Sequence, residues 1–82
     1  MKDVSKAYGG YIKNKRAEKG MTQAEVSKKL GISQQAYGRY ELGSREPNLD
    51  LMIQISEILE FKVGDFFDWY IGASHDRDTE QE

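Results

Sequence analysis

The chain has 82 residues, 38% of them hydrophobic, with no cysteine and a formal net charge of −2. That length supports one domain with one modest core, and the missing cysteines exclude disulfide staples and thiolate metal sites. No apolar run is long enough to span a membrane, and the opening MKDVSKAYGG lacks the apolar stretch of a secretory signal, so a cytoplasmic protein with no membrane partner is expected. The charge is divided: residues 1–45 carry ten Lys/Arg against four Asp/Glu, and residues 46–82 carry two against ten. A basic working half beside an acidic remainder suits a polyanionic partner, because the local field steers it; accidental asymmetry in a short chain is the alternative.

Strand-like alternation is missing, there is one proline, and apolar residues recur at helical spacing, which predicts an all-α fold of five helices. The first covers 4–18, with Val4, Tyr8, Ile12 and Arg16 on one face and Ala7 and Tyr11 beside it. Gly9 and Gly10 interrupt it, either to let another helix approach or at a cost in local stability. Gly20 supplies its stop. Thr22-Gln23-Ala24-Glu25 has the form of a capping box that opens a helix running to Leu30, with Val26 and Leu30 inward and Met21 packing just ahead. Gly31 is placed to end it in the left-handed conformation. Ser33 caps the third helix, 34–42, which Gly43 stops. Asn48 caps the fourth, about 49–60, with Leu49, Met52, Ile55 and Leu59 inward. The fifth is short, about 63–71. Residues 72–82 have no apolar period and read as a disordered acidic tail behind a domain at 1–71.

Residues 22–42 thus read as a helix, a tight turn containing Gly31, and a second helix: a helix-turn-helix. Ile32 plugs the angle between the helices, and Ser27 is small where they cross. The polar side of the second helix of this motif carries the chemistry. A glutamine amide matches the adjacent donor and acceptor of adenine in the major groove, and arginine matches the paired acceptors of guanine. Gln34 and Gln35 lie in the first turn, and Arg39 follows Gln35 by one turn. Gly38 has no side chain and lets the helix sit deeper in the groove. The competing reading makes these ordinary solvated residues; their position in the motif favours contact with double-stranded DNA.

These residues carry a family resemblance. From Gly9, Ile12 and Arg16, and then through MTQAEVSKKLGISQQAYGRYELGSREPNLDLMIQISEIL at 21–59, the chain resembles the XRE-type, lambda-repressor-like regulators of bacteria and phages. The resemblance implies a compact five-helix domain that binds DNA and regulates transcription. It places Gln23 at a phosphate-clamping position, Gln34, Gln35 and Arg39 at base-edge positions, and Ser44 and Arg45 where a loop touches phosphate. Ser33 is grouped with these phosphate contacts. Arg16 and Glu41 match an architectural ion pair joining the first helix to the recognition helix. Departures are Ser27 where alanine is usual, Lys62 where a capping Ser or Thr is usual, and Tyr37 and Tyr40 in place of aliphatic core residues. A tyrosine hydroxyl needs a partner, so one or both are expected to reach the surface, with Tyr40 as a further phosphate contact.

Val63, Phe66 and Phe67 are expected to face inward, which leaves Trp69, Tyr70 and Ile71 as surplus apolar surface and the expected homodimer interface. The alternative folds these aromatics back over Tyr8 and Tyr11. The single histidine, His75, stands alone, and neither a phosphate loop nor a nucleophile motif occurs, so no enzyme, metal or cofactor is expected. The expected function is sequence-specific binding of a palindromic operator as a dimer, with repression by promoter occlusion. Autoregulation as an antitoxin or restriction–modification controller stays open, as does an interaction adaptor that kept the fold and lost DNA binding.

Overall fold

The computed structural model describes residues 3–81, and their side chains through Gly72. The side chains of residues 73–82, which include His75 and the acidic charges of the tail, lie outside that description. Every regular element among the described residues is an α-helix: α1 Val4–Glu18, α2 Gln23–Leu30, α3 Gln34–Leu42, α4 Leu49–Leu59 and α5 Val63–Gln81.

Local chemistry sets the boundaries. Asp3, Thr22, Ser33 and Asn48 each cap a helix by accepting a hydrogen bond from a backbone N–H of its first turn. At α2 the box is reciprocal, because Glu25 in turn accepts from the Thr22 N–H at 2.8 Å. Gly31 ends α2 at φ +76°, in the left-handed region that glycine enters without penalty. The missing Ser or Thr before α5 is offset from within the helix, where the Asp65 carboxylate accepts from the Lys62 N–H at 3.1 Å. α4 ends on Glu60, a left-handed residue that is not glycine (φ 61°), whose carboxylate pairs with Lys19 of the α1 end at 3.0 Å.

One core joins all five helices: Tyr8 and Ile12 of α1, Val26 of α2, Tyr37 of α3, Met52, Ile55 and Leu59 of α4, and Phe66 of α5. α1 packs on α3, α4 and α5, and α2 packs on α3 and α4. The glycine pair of α1 is resolved into two roles. A methyl group on Gly9 would overlap the carbonyl oxygens of Tyr40 and Glu41, whereas Gly10 faces open space. Gly9 is therefore the point where α1 and the end of α3 come into backbone contact.

Three expectations are corrected. Leu49 is exposed rather than inward, because it stands in the first turn of α4 at the edge of the stripe formed by Met52, Ile55 and Leu59. Phe67 is also exposed; one residue past the buried Phe66 is a turn of about 100°, enough to leave the core. The backbone of α5 is helical to Gln81, ten residues past the end expected at 71. The apolar pattern marks only where the helix leaves the core, and propagation of an existing helix needs one backbone hydrogen bond per added residue and no apolar face.

Candidate nucleic-acid interface

α3 is held from behind. The Arg16 Nε donates to Glu41 Oε2 at 2.6 Å, and its Nη2 donates to Oε1 at 3.1 Å, a bidentate pair between α1 and α3. The third arm, Arg16 Nη1, donates to the Met21 carbonyl at 2.9 Å just before α2 begins. Gln23 Nε2 completes the cluster by donating to Glu41 Oε1 at 2.9 Å. One carboxylate thus ties α1, α2 and α3 together. Its side chain is 2% exposed against 16% for Arg16. Burial alone would raise the Glu41 carboxyl, but hydrogen bonds from Arg16 and Gln23 outweigh it and hold the group below the usual carboxylate range. The same hydrogen bonding to Glu41 pushes Arg16 up.

Tyr37 is fully buried beside this cluster; its hydroxyl stands next to the Glu41 carboxylate but makes no hydrogen bond of good geometry. Burial pushes the phenol well above its usual range. Of the two tyrosines of which one or both were expected to reach the surface, Tyr37 does not: its ring fills the core in the place of an aliphatic side chain. Tyr40 is half-buried and packs against the core, about 100° round α3 from its neighbour Arg39.

The opposite face of α3 is open. Gln34, Gly38 and Leu42 form one row at i, i+4, i+8, and Gln35 and Arg39 form the next. Together with Gln23 these residues line a shallow depression. Gln34, Gln35 and Arg39 are exposed. Gly38 is the thin point of the rows, where a β-carbon would stand 3.7 Å from Gln23 Oε1. At the rim the two serines differ. Ser33 Oγ accepts from the Ala36 N–H at 3.0 Å, which leaves its own proton free to donate. Ser44 Oγ donates to the Arg39 carbonyl at 3.3 Å and spends its proton on the end of α3. Arg45 is exposed in the loop that follows.

The structure therefore brings Gln23, Gln34, Gln35, Gly38 and Arg39 to one surface, with Ser33 at its edge and Ser44 and Arg45 just beyond α3. One feature escaped the sequence reading. Gln23 also acts as a strut to Glu41, which no local spacing announces because the partners are 18 residues apart. Leu42, which the residue pattern already sets apart from the stripe of Tyr37, Tyr40 and Glu41, belongs to the open face, although no contact was expected of it.

On α5, Trp69 and Ile71 are 52% and 62% exposed, but they do not share a face with each other. Two residues along a helix is a turn of about 200°. Tyr70 stacks on Phe66 at 5.7 Å between ring centres, and Trp69 leans on Tyr11 at 5.5 Å. The fold-back over α1 is thus partly realised, while Phe67 and Ile71, four apart, form the exposed apolar row.

A profile of helix-turn-helix proteins matches residues 12–66. YqaE of Bacillus subtilis, an HTH-type transcriptional regulator, is 49% identical over 52 residues, which are 63% of this chain and 45% of YqaE. The prophage-derived regulator YonR of the same organism is 40% identical over 52 residues, 63% of this chain and 48% of its own length. The chain thus spans about half the length of these two Bacillus relatives. MJ0272 of Methanocaldococcus jannaschii is 36% identical over 56 residues, 68% of this chain and 85% of its own. The fold is shared with the clp gene regulator ClgR of Corynebacterium glutamicum, at a TM-score of 0.80 and 22% identity over 95% of this chain and 83% of that one. No described helix is long and apolar enough to cross a membrane. The buried Arg16–Glu41 brace, the glycine-ended turn and the polar outer face of α3 stand within or beside the matched segment, and the chain belongs to the XRE-type helix-turn-helix family of DNA-binding transcriptional regulators.

Proposed function

We propose that this protein binds a palindromic DNA operator as a homodimer in the cytoplasm and represses transcription by occluding a promoter. The observation that carries the reading is the open face of α3, which sets Gln34, Gln35 and Arg39 out to solvent and is braced from behind by a single buried carboxylate. In this reading α3 lies in the major groove. Gln34 and Gln35 pair with adenine edges, and Arg39 pairs with guanine. Gly38 lets the backbone approach. Gln23, Ser33 and Arg45 hold phosphates, with the Gln23 N–H at the positive end of α2, and Ser44 joins them by turning its hydroxyl from the Arg39 carbonyl to the phosphate. Tyr40 packs its ring on the core and offers its hydroxyl as a further phosphate contact.

One recognition helix reads only a few base pairs. Two on a two-fold axis, about 34 Å apart, read successive major grooves and call for a palindromic site. Support for self-association comes from the exposed row of Phe67 and Ile71, the apolar surface an isologous contact needs; Trp69 is exposed on the other side of α5. Repression is the simpler mode of control, since occlusion requires binding alone.

The test is operator selection from random DNA followed by titration at increasing salt. A dimer neutralising about 6–10 phosphates loses roughly 10³–10⁵ in affinity between 50 and 200 mM salt. A flat response would overturn DNA binding. On the same operator, Ile71→Glu is expected to shift sedimentation towards monomer and weaken binding with the melting temperature unchanged; a monomeric wild type on a single half-site would overturn the dimer.

A further inference from the structure

Leu42 is 74% exposed and stands on the reading face of α3. An exposed leucine is ordinary on a protein surface, but here its five neighbours around the depression are Gln23, Gln34, Gln35, Gly38 and Arg39, four of them amides or a guanidinium and one without a side chain. It does not belong to the core cluster or to the side chains packed against it. A lone apolar group among polar ones does not make a patch for a protein partner, which needs contiguous apolar surface. Nor can it hold a phosphate, because it has no donor. The major groove offers one apolar group on its base edges, the C5-methyl of thymine.

Gly38 adds the space. It lies one turn before Leu42 in the same row, and the nearest group to a β-carbon there would be Gln23 Oε1 at 3.7 Å. The row is thus open between Gln34 and Leu42, with the α3 backbone as its floor, the Gln23 amide behind it and the Leu42 methyls as its apolar wall.

We propose that Leu42 reads a thymine C5-methyl, which seats in the gap left by Gly38, and so fixes one thymine in each half-site of the operator. The proposal rests on the DNA-binding reading above and adds to it a specificity residue with a different chemistry from the glutamines and Arg39.

The experiment uses the full chain and its selected operator. Each thymine is replaced in turn by uracil, which removes the methyl and keeps the pairing and the O4 acceptor. Wild-type protein is expected to lose about three- to fivefold per half-site at one position, the size expected for one buried methyl. Leu42→Ala is expected to bind the thymine operator more weakly by a similar or larger factor and to be indifferent to uracil at that position. Because Leu42 is a surface residue, an unchanged melting curve is expected to accompany the change. Uracil penalties that are the same in wild type and Leu42→Ala would overturn the proposal, as would a loss in Leu42→Ala with no uracil-sensitive position, which would mean a sugar or backbone contact. Failure of the wild type to select any sequence would overturn the DNA reading and this proposal together, and is distinguished by the selection step itself.

Discussion

The two faces of α3 are built on opposite terms. The inner face presents Tyr37 and Glu41, both buried, with Glu41 bound to partners on two other helices. The outer face presents Gln34, Gln35, Arg39 and Leu42, all exposed, and none of the three polar side chains makes a hydrogen bond or ion pair among the described residues. Neighbouring residues belong to different faces because each step turns the helix by about 100°. A helix of nine residues can thereby separate stability from recognition: one face fixes where the helix sits, and the other is free to present a sequence-reading pattern. Substitutions on the inner face should move stability and those on the outer face should move binding.

The largest effect is expected at the brace. Arg16→Met leaves the Glu41 carboxylate buried without its cation, and should cost about 3–5 kcal/mol in denaturant unfolding. Glu41→Gln should cost less, because the amide keeps part of the hydrogen bonding and the more exposed Arg16 can turn towards water. Equal losses in the two variants would break this account. The pH dependence follows from the lowered Glu41 carboxyl. A carboxylate whose folded value is depressed stabilises the fold above its unfolded value of about 4.3 and loses that contribution as pH falls through the lower folded value. The melting temperature should therefore fall more steeply below about pH 4.3 in the wild type than in Glu41→Gln.

Two glycines sharpen the comparison at smaller scale. Gly9→Ala forces a methyl into the backbone carbonyls of Tyr40 and Glu41, where neither side can yield easily. Overpacking of this kind should cost about 1–3 kcal/mol. Gly38→Ala on the outer face meets only ordinary contact with Gln23, so the better helix propensity of alanine should raise stability by up to about 1 kcal/mol. The same methyl fills the opening between Gln34 and Leu42 and should weaken operator binding. A Gly38→Ala variant that is more stable and binds less well separates the two faces within one substitution; one that binds DNA as well as the wild type would break the separation.

How much of this was readable beforehand depended on range. The caps at Thr22, Ser33 and Asn48 and the left-handed Gly31 are local devices, and local spacing announced them. The buried stripe of α4 was read from its period except for Leu49, whose place in the first turn no period reveals. The Arg16–Glu41 contact was expected only through family resemblance, since its partners lie 25 residues apart and no spacing rule joins them. The surplus aromatics of α5 were counted correctly but assigned to one surface, because counting apolar residues ignores the turn between Trp69, Tyr70 and Ile71. Leu42 was placed with the outer residues but given no contact, because amides and guanidinium carry the obvious base chemistry and the apolar residue in the same row does not.

The smallest effect is expected at Tyr37, and it tests whether the inner face works through packing or through polar contact. The side chain is fully buried, its ring is part of the core, and its hydroxyl is without a partner. A buried hydroxyl that keeps no hydrogen bond carries a desolvation cost of about 1–3 kcal/mol. Tyr37→Phe keeps the ring and removes that group, so unfolding stability should stay within about 1 kcal/mol of the wild type or rise. Operator affinity should be unchanged, since no part of Tyr37 reaches the reading face. A loss above about 1.5 kcal/mol would mean that the hydroxyl is satisfied in solution, by water or by the adjacent Glu41 carboxylate. In that case the inner face would be a polar network rather than one ion-pair brace set in an apolar core. Weaker DNA binding at unchanged stability would be the more serious result, because it would place a recognition role on the face assigned entirely to support.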